Sequence, residues 1–195
     1  MSARDEMLAA IRRNRPAATT VLPELQSFAT LPPDGLQAEF RRRLAQMGGK
    51  LIEPGPEPDR LAPARRMIAE AGITCSMVPQ LPGNRAFDRA EPASLHDVDL
   101  AVLQASFAVA ETGSVALRAA DLGVNALGYL AQRLLVLVDP ATIVENLHLA
   151  YSRPEFHDGH YLVLQTGPSA TADIEGVLIH GAQGVRALTV LLAIP

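Results

Sequence analysis

Apolar residues in this chain gather into short runs divided by proline-rich, glycine-rich or charged stretches, and the spacing within each run predicts its element. Residues 2–14 predict a helix: Ser2 can cap it, Asp5 and Glu6 suit its positive end, and Arg12 and Arg13 suit its negative end. Its only apolar stripe is Met7, Leu8 and Ile11, so it is expected to pack on the rest of the chain or on another subunit. Pro16 to Pro33 holds four prolines and no helical period, which predicts an extended connector. Asp34 is then expected to cap a second helix, in which Leu36, Phe40, Leu44 and Met47 share a face until Gly48-Gly49 stops it.

Downstream, strand-length and helix-length signals alternate. Lys50 to Glu53 reads as a strand, Arg65 to Glu70 as a helix ending at Gly72, and Ile73 to Val78 as a second strand. Pro79 to Ser94 is turn-rich and predicts a surface loop that could cover a site. Within Asp97 to Leu117 an apolar run precedes Ala108-Val109-Ala110, the polar break Glu111-Thr112-Gly113-Ser114, and Val115-Ala116-Leu117, the text of a hairpin or of a strand ending at a site. Leu134 to Val138 predicts a strand, and Pro140 is expected to open a helix with Ile143, Val144 and Leu147 on one face. Tyr161 to Leu164 has the composition of a strand buried on both faces, and Leu188 to Ile194 reads as the last strand. Strands alternating with helices predict an α/β fold with a mostly parallel sheet flanked by helices.

Polar chemistry concentrates where the Tyr161 to Leu164 run ends. Thr166, Gly167, Pro168, Ser169, Thr171, Asp173 and Glu175 follow within a few residues. Open α/β sheets bind ligands outside the carboxyl ends of their strands, so this turn is expected to face the Glu111 to Ser114 turn across a small-molecule site. Hydroxyls and backbone amides there suit an anionic group, held at a helix start or in a nest, and they also suit simple stabilisation of a turn. Glu111, Asp173 and Glu175 are candidate acids, bases or nucleophiles if two of them converge, and solubilising groups if they face water. Gly167-Pro168-Ser169-Ala170-Thr171 partly matches the G-x-S-x-G nucleophile elbow, with a β-branched threonine where the turn needs glycine.

Composition narrows the choice. The chain has 195 residues, 48% of them hydrophobic, and can bury a sizeable core. A net charge of −4, with Lys50 the single lysine, gives no electrostatic reason to expect nucleic acid or an anionic membrane. One cysteine, Cys75, excludes an internal disulfide and a self-contained iron–sulfur cluster, and its place in an apolar run predicts a buried, inert thiol. No secretory signal or membrane-length apolar run is visible, so a cytoplasmic location is expected. A dinucleotide fingerprint, a P-loop and an H-E-x-x-H pair are all absent. His157 and His160 are three apart, but Pro154 and Gly159 deny them a helical face and predict an exposed loop rather than a metal site. Arg41-Arg42-Arg43 reads as a solvated helix face or, alternatively, an anion patch.

The segments Ala110 to Leu117 and Thr166 to Gly176 resemble the two signatures of the LUD-domain family, in particular its LutC/YkgG-type lactate-utilisation subunits. Leu134 to Val138, Ile143-Val144, Gly181 to Gly184 and Leu188 to Val190 are similar to its intervening and closing segments. The resemblance implies a NagB/RpiA/CoA-transferase-like α/β domain over residues 34–195, preceded by a helical and extended arm over residues 1–33. It implies a role in oxidising L-lactate to pyruvate beside partner proteins that carry the iron–sulfur clusters, with no cofactor bound by this chain alone. Thr112, Gly113, Ser114, Thr166, Gly167, Ser169 and Thr171 would then hold a small anionic ligand, and Glu111, Asp173 or Glu175 would supply acid–base function. Arg133 and Gln183 stand where many relatives carry histidine. The implied fold also suggests an acyl- or CoA-transferring enzyme with a carboxylate nucleophile, and a non-catalytic scaffold is a third reading.

Overall fold

The structure is a computed structural model and describes residues 2–16, 23–24, 26–174, 177–180 and 184–193. Helix α1 (Ala3–Arg13) is closed by a capping box in which Ser2 Oγ accepts the Asp5 amide and the Asp5 carboxylate accepts the Ser2 amide. None of its residues is buried, and Met7 and Ile11 stand exposed. Helix α2 (Leu36–Gln46) follows a one-turn 3₁₀ segment, Pro33–Gly35. Asp34 lies inside that turn and Gly35 takes the N-cap position with no side-chain bond, so the expected aspartate cap does not form. Phe40 and Leu44 are fully buried, whereas Met47 has become the C-cap and is exposed.

Strand β1 (Lys50–Ile52), helix α3 (Ala62–Glu70), strand β2 (Thr74–Ser76) and strand β3 (Leu100–Gln104) come next. A tight hairpin of β4 (Phe107–Val109) and β5 (Ser114–Arg118) follows, then the single-turn helices α4 (Ala119–Leu122) and α5 (Leu127–Leu130), and β6 (Arg133–Val138). Pro140 opens only a 3₁₀ turn, Pro140–Thr142. The expected helix through Ile143 and Val144 is instead a short strand, β7 (Ile143–Val144), because those residues pair in parallel with Ala108 and Val109. Helix α6 (Leu147–Tyr151), strand β8 (Leu162–Gln165), the hairpin β9 (Ala170–Ile174) and β10 (Val177–His180), and strand β11 (Ala187–Leu192) complete the order.

Five strands form a parallel sheet in the order β1-β11-β6-β3-β2. Side chains alternate faces along a strand. Leu100, Val102, Leu135, Leu137 and Leu191 join a cluster with Ala64 and Met67 of α3 on one face. Ala101, Leu103, Leu134, Val136 and Val190 point the other way, into a larger cluster with Phe40 and Leu44 of α2 and Ala108 and Val115 of the hairpin. Burial on both faces explains why β6 reads as an apolar run from Leu134 to Val138 and why β11 is apolar but for Thr189.

A second sheet, β7-β4-β5-β8, packs through the hairpin on the α2 side of the first. β8 is its edge strand, antiparallel to β5, and every residue of β8 is only half-buried. The expectation of a doubly buried strand in the parallel sheet therefore fails at Tyr161 to Leu164. An all-apolar stretch of that length suits an edge strand covered on one side as well as a central strand. Among the described residues no helix is long and apolar enough to cross a membrane.

Candidate functional site

The two polar turns meet, and α2 is what they meet on. The β4–β5 turn carries Glu111, Thr112 and Gly113, and Gly113 has φ +68. A Cβ at Gly113 would lie 2.3 Å from the Leu44 backbone nitrogen, so the turn rests directly on the helix. The turn leaving β8 does the same one helical turn further on: Gly167 has φ +64, and a Cβ there would lie 2.0 Å from the Met47 carbonyl oxygen. Only glycine combines the left-handed backbone with so close an approach. The two turns are thereby brought side by side, with Ser114 Oγ hydrogen-bonded to Thr166 Oγ1 and, at 2.7 Å, to Thr112 Oγ1.

A cavity of about 470 Å³ opens beside this hydroxyl chain. Thr112, Ser114 and Thr166 line it with hydroxyls, Met47, Leu147 and Leu164 with apolar side chains, and Arg43, Gln46 and Glu111 with charged or amide groups. Arg43 is a site residue that sequence reasoning left among three arginines. Its Nε donates to Glu39 Oε1 at 2.8 Å and its Nη1 reaches Gln46 only at 3.5 Å, so guanidinium donors remain for an anion. Arg42 and Arg43 together draw the Glu39 carboxyl down to about 2, which keeps that carboxylate charged beneath the site. The signal that could have singled out Arg43 is helical spacing, since it lies four residues before Met47 and so shares its face.

A second cavity, about 350 Å³, adjoins the first through the shared residues Arg43 and Glu111. Its outer wall is the segment Phe28 to Leu31, which the connector contributes. Glu145, almost fully buried, binds this segment through one oxygen that accepts the Thr30 amide at 2.7 Å, the Leu31 amide at 3.1 Å and the Thr30 hydroxyl at 3.2 Å. The Thr30 amide above all holds the Glu145 carboxyl below the usual glutamate range. Asn146 Nδ2 donates to the Ser27 carbonyl at 2.7 Å, and the Phe28 and His148 rings lie 4.8 Å apart. These contacts span more than a hundred residues, and nothing local in the sequence announces them.

The remaining expected residues divide. Glu111 lies at the junction of the cavities, where its Oε2 accepts the Leu147 amide at the start of α6 at 2.9 Å. Thr112, Ser114 and Thr166 line the first cavity, with Gly113 and Gly167 behind them. Ser169 and Thr171 lie beyond it: the Ser169 amide bonds the Val185 carbonyl at 2.7 Å and Thr171 pairs with Ile179. Asp173 belongs to β9, while Glu175 and Gln183 fall outside the described residues. Because Ala170 opens a strand, the turn at Gly167 forms neither a helix-start anion cradle nor the strand–turn–helix of a nucleophile elbow. Nor does it stand at the mouth of the parallel sheet, since β8 belongs to the second sheet.

The mouth of the parallel sheet has a cavity of its own, about 400 Å³, lined by Gln104, Ser106, Arg118, Asp121 and Asp139 among others. Arg118 and Asp121 are spent on each other, Asp121 accepting Ser106 Oγ at 2.6 Å, the Arg118 amide at 2.9 Å and Arg118 Nη2 at 3.0 Å, while Asp139 caps its own turn by accepting the Ala141 amide at 2.9 Å. Cys75 is fully buried on β2. His157 is exposed and bonds the Tyr151 carbonyl, and among the described residues no group of three or more His, Cys, Asp and Glu could hold a metal ion. Arg133 is occupied by Asp99 in a two-point ion pair at 2.9 and 2.8 Å.

Comparison with known proteins adds three findings. A family model for the LUD domain matches residues 91–193. Lactate utilization protein C of Deinococcus radiodurans is 30% identical over 204 residues, an alignment spanning 96% of this chain and 93% of that protein. The crystal structure of a DUF162 family protein from Deinococcus radiodurans shares the fold, with a TM-score of 0.57 at 17% identity over 83% of this chain and 98% of that one.

Proposed function

Because the chain belongs to the LUD-domain family, we propose that it is a cytoplasmic lactate-utilisation subunit that binds a small 2-hydroxy carboxylate between its two polar turns. The observation that supports this reading is the junction at α2, where the joined hydroxyls of Thr112, Ser114 and Thr166 line the same cavity as Arg43. A guanidinium recognises a carboxylate through two parallel hydrogen bonds. With the carboxylate on Arg43, the hydroxyls of Thr112, Ser114 and Thr166 are within the same cavity to hold the substrate's 2-hydroxyl, and Glu111 is the carboxylate available to take its proton.

Oxidation of L-lactate to pyruvate breaks the O–H and the C2–H bonds and releases two protons and two electrons. Iron–sulfur clusters of partner proteins would take up the electrons. In this chain the single cysteine is sealed in the core, which supports placing the clusters in the partners. The test is co-purification with the products of neighbouring genes, followed by lactate-dependent dye reduction. Arg43→Gln and Ser114→Ala are expected to lower the rate at least tenfold with the complex intact. A rate unchanged when this chain is left out would overturn the proposal.

A further inference from the structure

Lactate is small for this site. With about as many heavy atoms as six waters, at roughly 30 Å³ each, it needs on the order of 200 Å³. The first cavity alone is about 470 Å³, and a second of about 350 Å³ adjoins it. Within the first cavity the excess is mainly apolar: Met47, Leu147 and Leu164 line it beside the hydroxyls, and Met47 is left 48% exposed at the end of a helix whose Phe40 and Leu44 are fully buried. An unbranched thioether beside an apolar wall adapts readily to a bulky apolar group. A carboxylate anchored on Arg43 would project its substituent along this wall.

We propose that the site takes a 2-hydroxy acid with a side chain larger than methyl, of aryl or branched-alkyl type, whose apolar body lies against Met47, Leu147 and Leu164. This rests on the reading of Arg43 and the hydroxyl wall as a 2-hydroxy carboxylate site. An apolar pocket that fills around a larger substituent distinguishes it from a smaller one by about tenfold or more.

The experiment is calorimetric titration of the full chain with L-lactate, L-3-phenyllactate and 3-phenylpropionate, which lacks the hydroxyl. L-3-phenyllactate is expected to bind at least tenfold more tightly than either of the others. Arg43→Gln should weaken both hydroxy acids. Leu164→Trp, which fills the apolar compartment, should lower the ratio of phenyllactate to lactate affinity at least tenfold, and Leu147→Trp, entering from α6, should do the same if the first variant folds poorly. Lactate binding as tight as or tighter than phenyllactate overturns the size inference and leaves the proposed function standing. Binding of neither hydroxy acid overturns both. A phenyllactate preference that ignores both tryptophan variants places the ligand elsewhere and overturns the inference.

Discussion

Replacing Gly113 by alanine tests whether the site is assembled by the approach of a turn to α2. Two penalties apply. The left-handed backbone at φ +68 costs a residue with a Cβ about 1–2 kcal/mol. The new methyl would also sit 2.3 Å from the Leu44 nitrogen and 2.7 Å from the Arg43 carbonyl carbon, whereas real Cβ atoms essentially never approach within 3.0 Å. α2 cannot withdraw freely because Phe40 and Leu44 are fully buried under it, so this overpacking adds about 1–3 kcal/mol. The sum, about 2–5 kcal/mol, is a large part of a typical stability of about 5–15 kcal/mol and lowers the melting temperature by roughly 5–20 °C in a chain of this size. Gly159 is the control: it has φ +75 with nothing within 4 Å, so Gly159→Ala carries only the backbone penalty. Paired thermal unfolding measures the difference, which should be about 2–12 °C. Because the collision falls on the backbone next to Arg43, Gly113→Ala should also weaken ligand binding well below its own melting temperature, and Gly159→Ala should not. Equal melting temperatures for the two variants would refute the argument.

Other outcomes follow from local contacts. Glu145 has a folded-state carboxyl below the ordinary glutamate value of about 4.3, so its hold on Thr30 and Leu31 is complete above that value and is lost as pH falls through the lowered one. Amide exchange at Thr30 and Leu31 should be protected at pH 7, unprotected at the same pH in Glu145→Ala, and alike in both proteins once the wild-type carboxyl is protonated. Burial, reinforced by the bond to the Tyr161 hydroxyl, pushes Tyr129 up to about 12. Ultraviolet titration should show Tyr161→Phe lowering that value. Cys75, fully buried, should resist an aromatic disulfide reagent in the native state and react at once in denaturant. Modification of native protein at the rate of a free thiol would contradict the assigned packing.

What the sequence announced and what it concealed divide along a physical line. The β4–β5 hairpin was legible because two apolar arms flank a glycine turn, a pattern complete within a dozen residues. β6 and β11 were legible because burial on both faces leaves runs that are apolar throughout in β6 after Arg133 and broken only by Thr189 in β11. Ile143-Val144 misled because proline, followed by apolar residues at helical spacing, is a real helix signal that pairing with β4 overrides. Tyr161 to Leu164 misled because composition does not say which sheet recruits a strand. For the site, the polar turns were visible, but their meeting depends on α2, and the cation between them was hidden in a run of three arginines of which only Arg43 lines the two cavities. The Phe28 to Leu31 wall depends on distant Glu145, Asn146 and His148.

The position of β11 has a consequence for biosynthesis. It is made after every other described strand, yet it lies between β1 and β6, bonding Lys50 to Ile52 on one side and the whole of β6 on the other. While the chain is growing on the ribosome, β1 has no neighbour to join and β6 shows a bare edge. Until β11 inserts, that intermediate carries an unpaired strand edge, the kind of surface on which growing chains stick to one another.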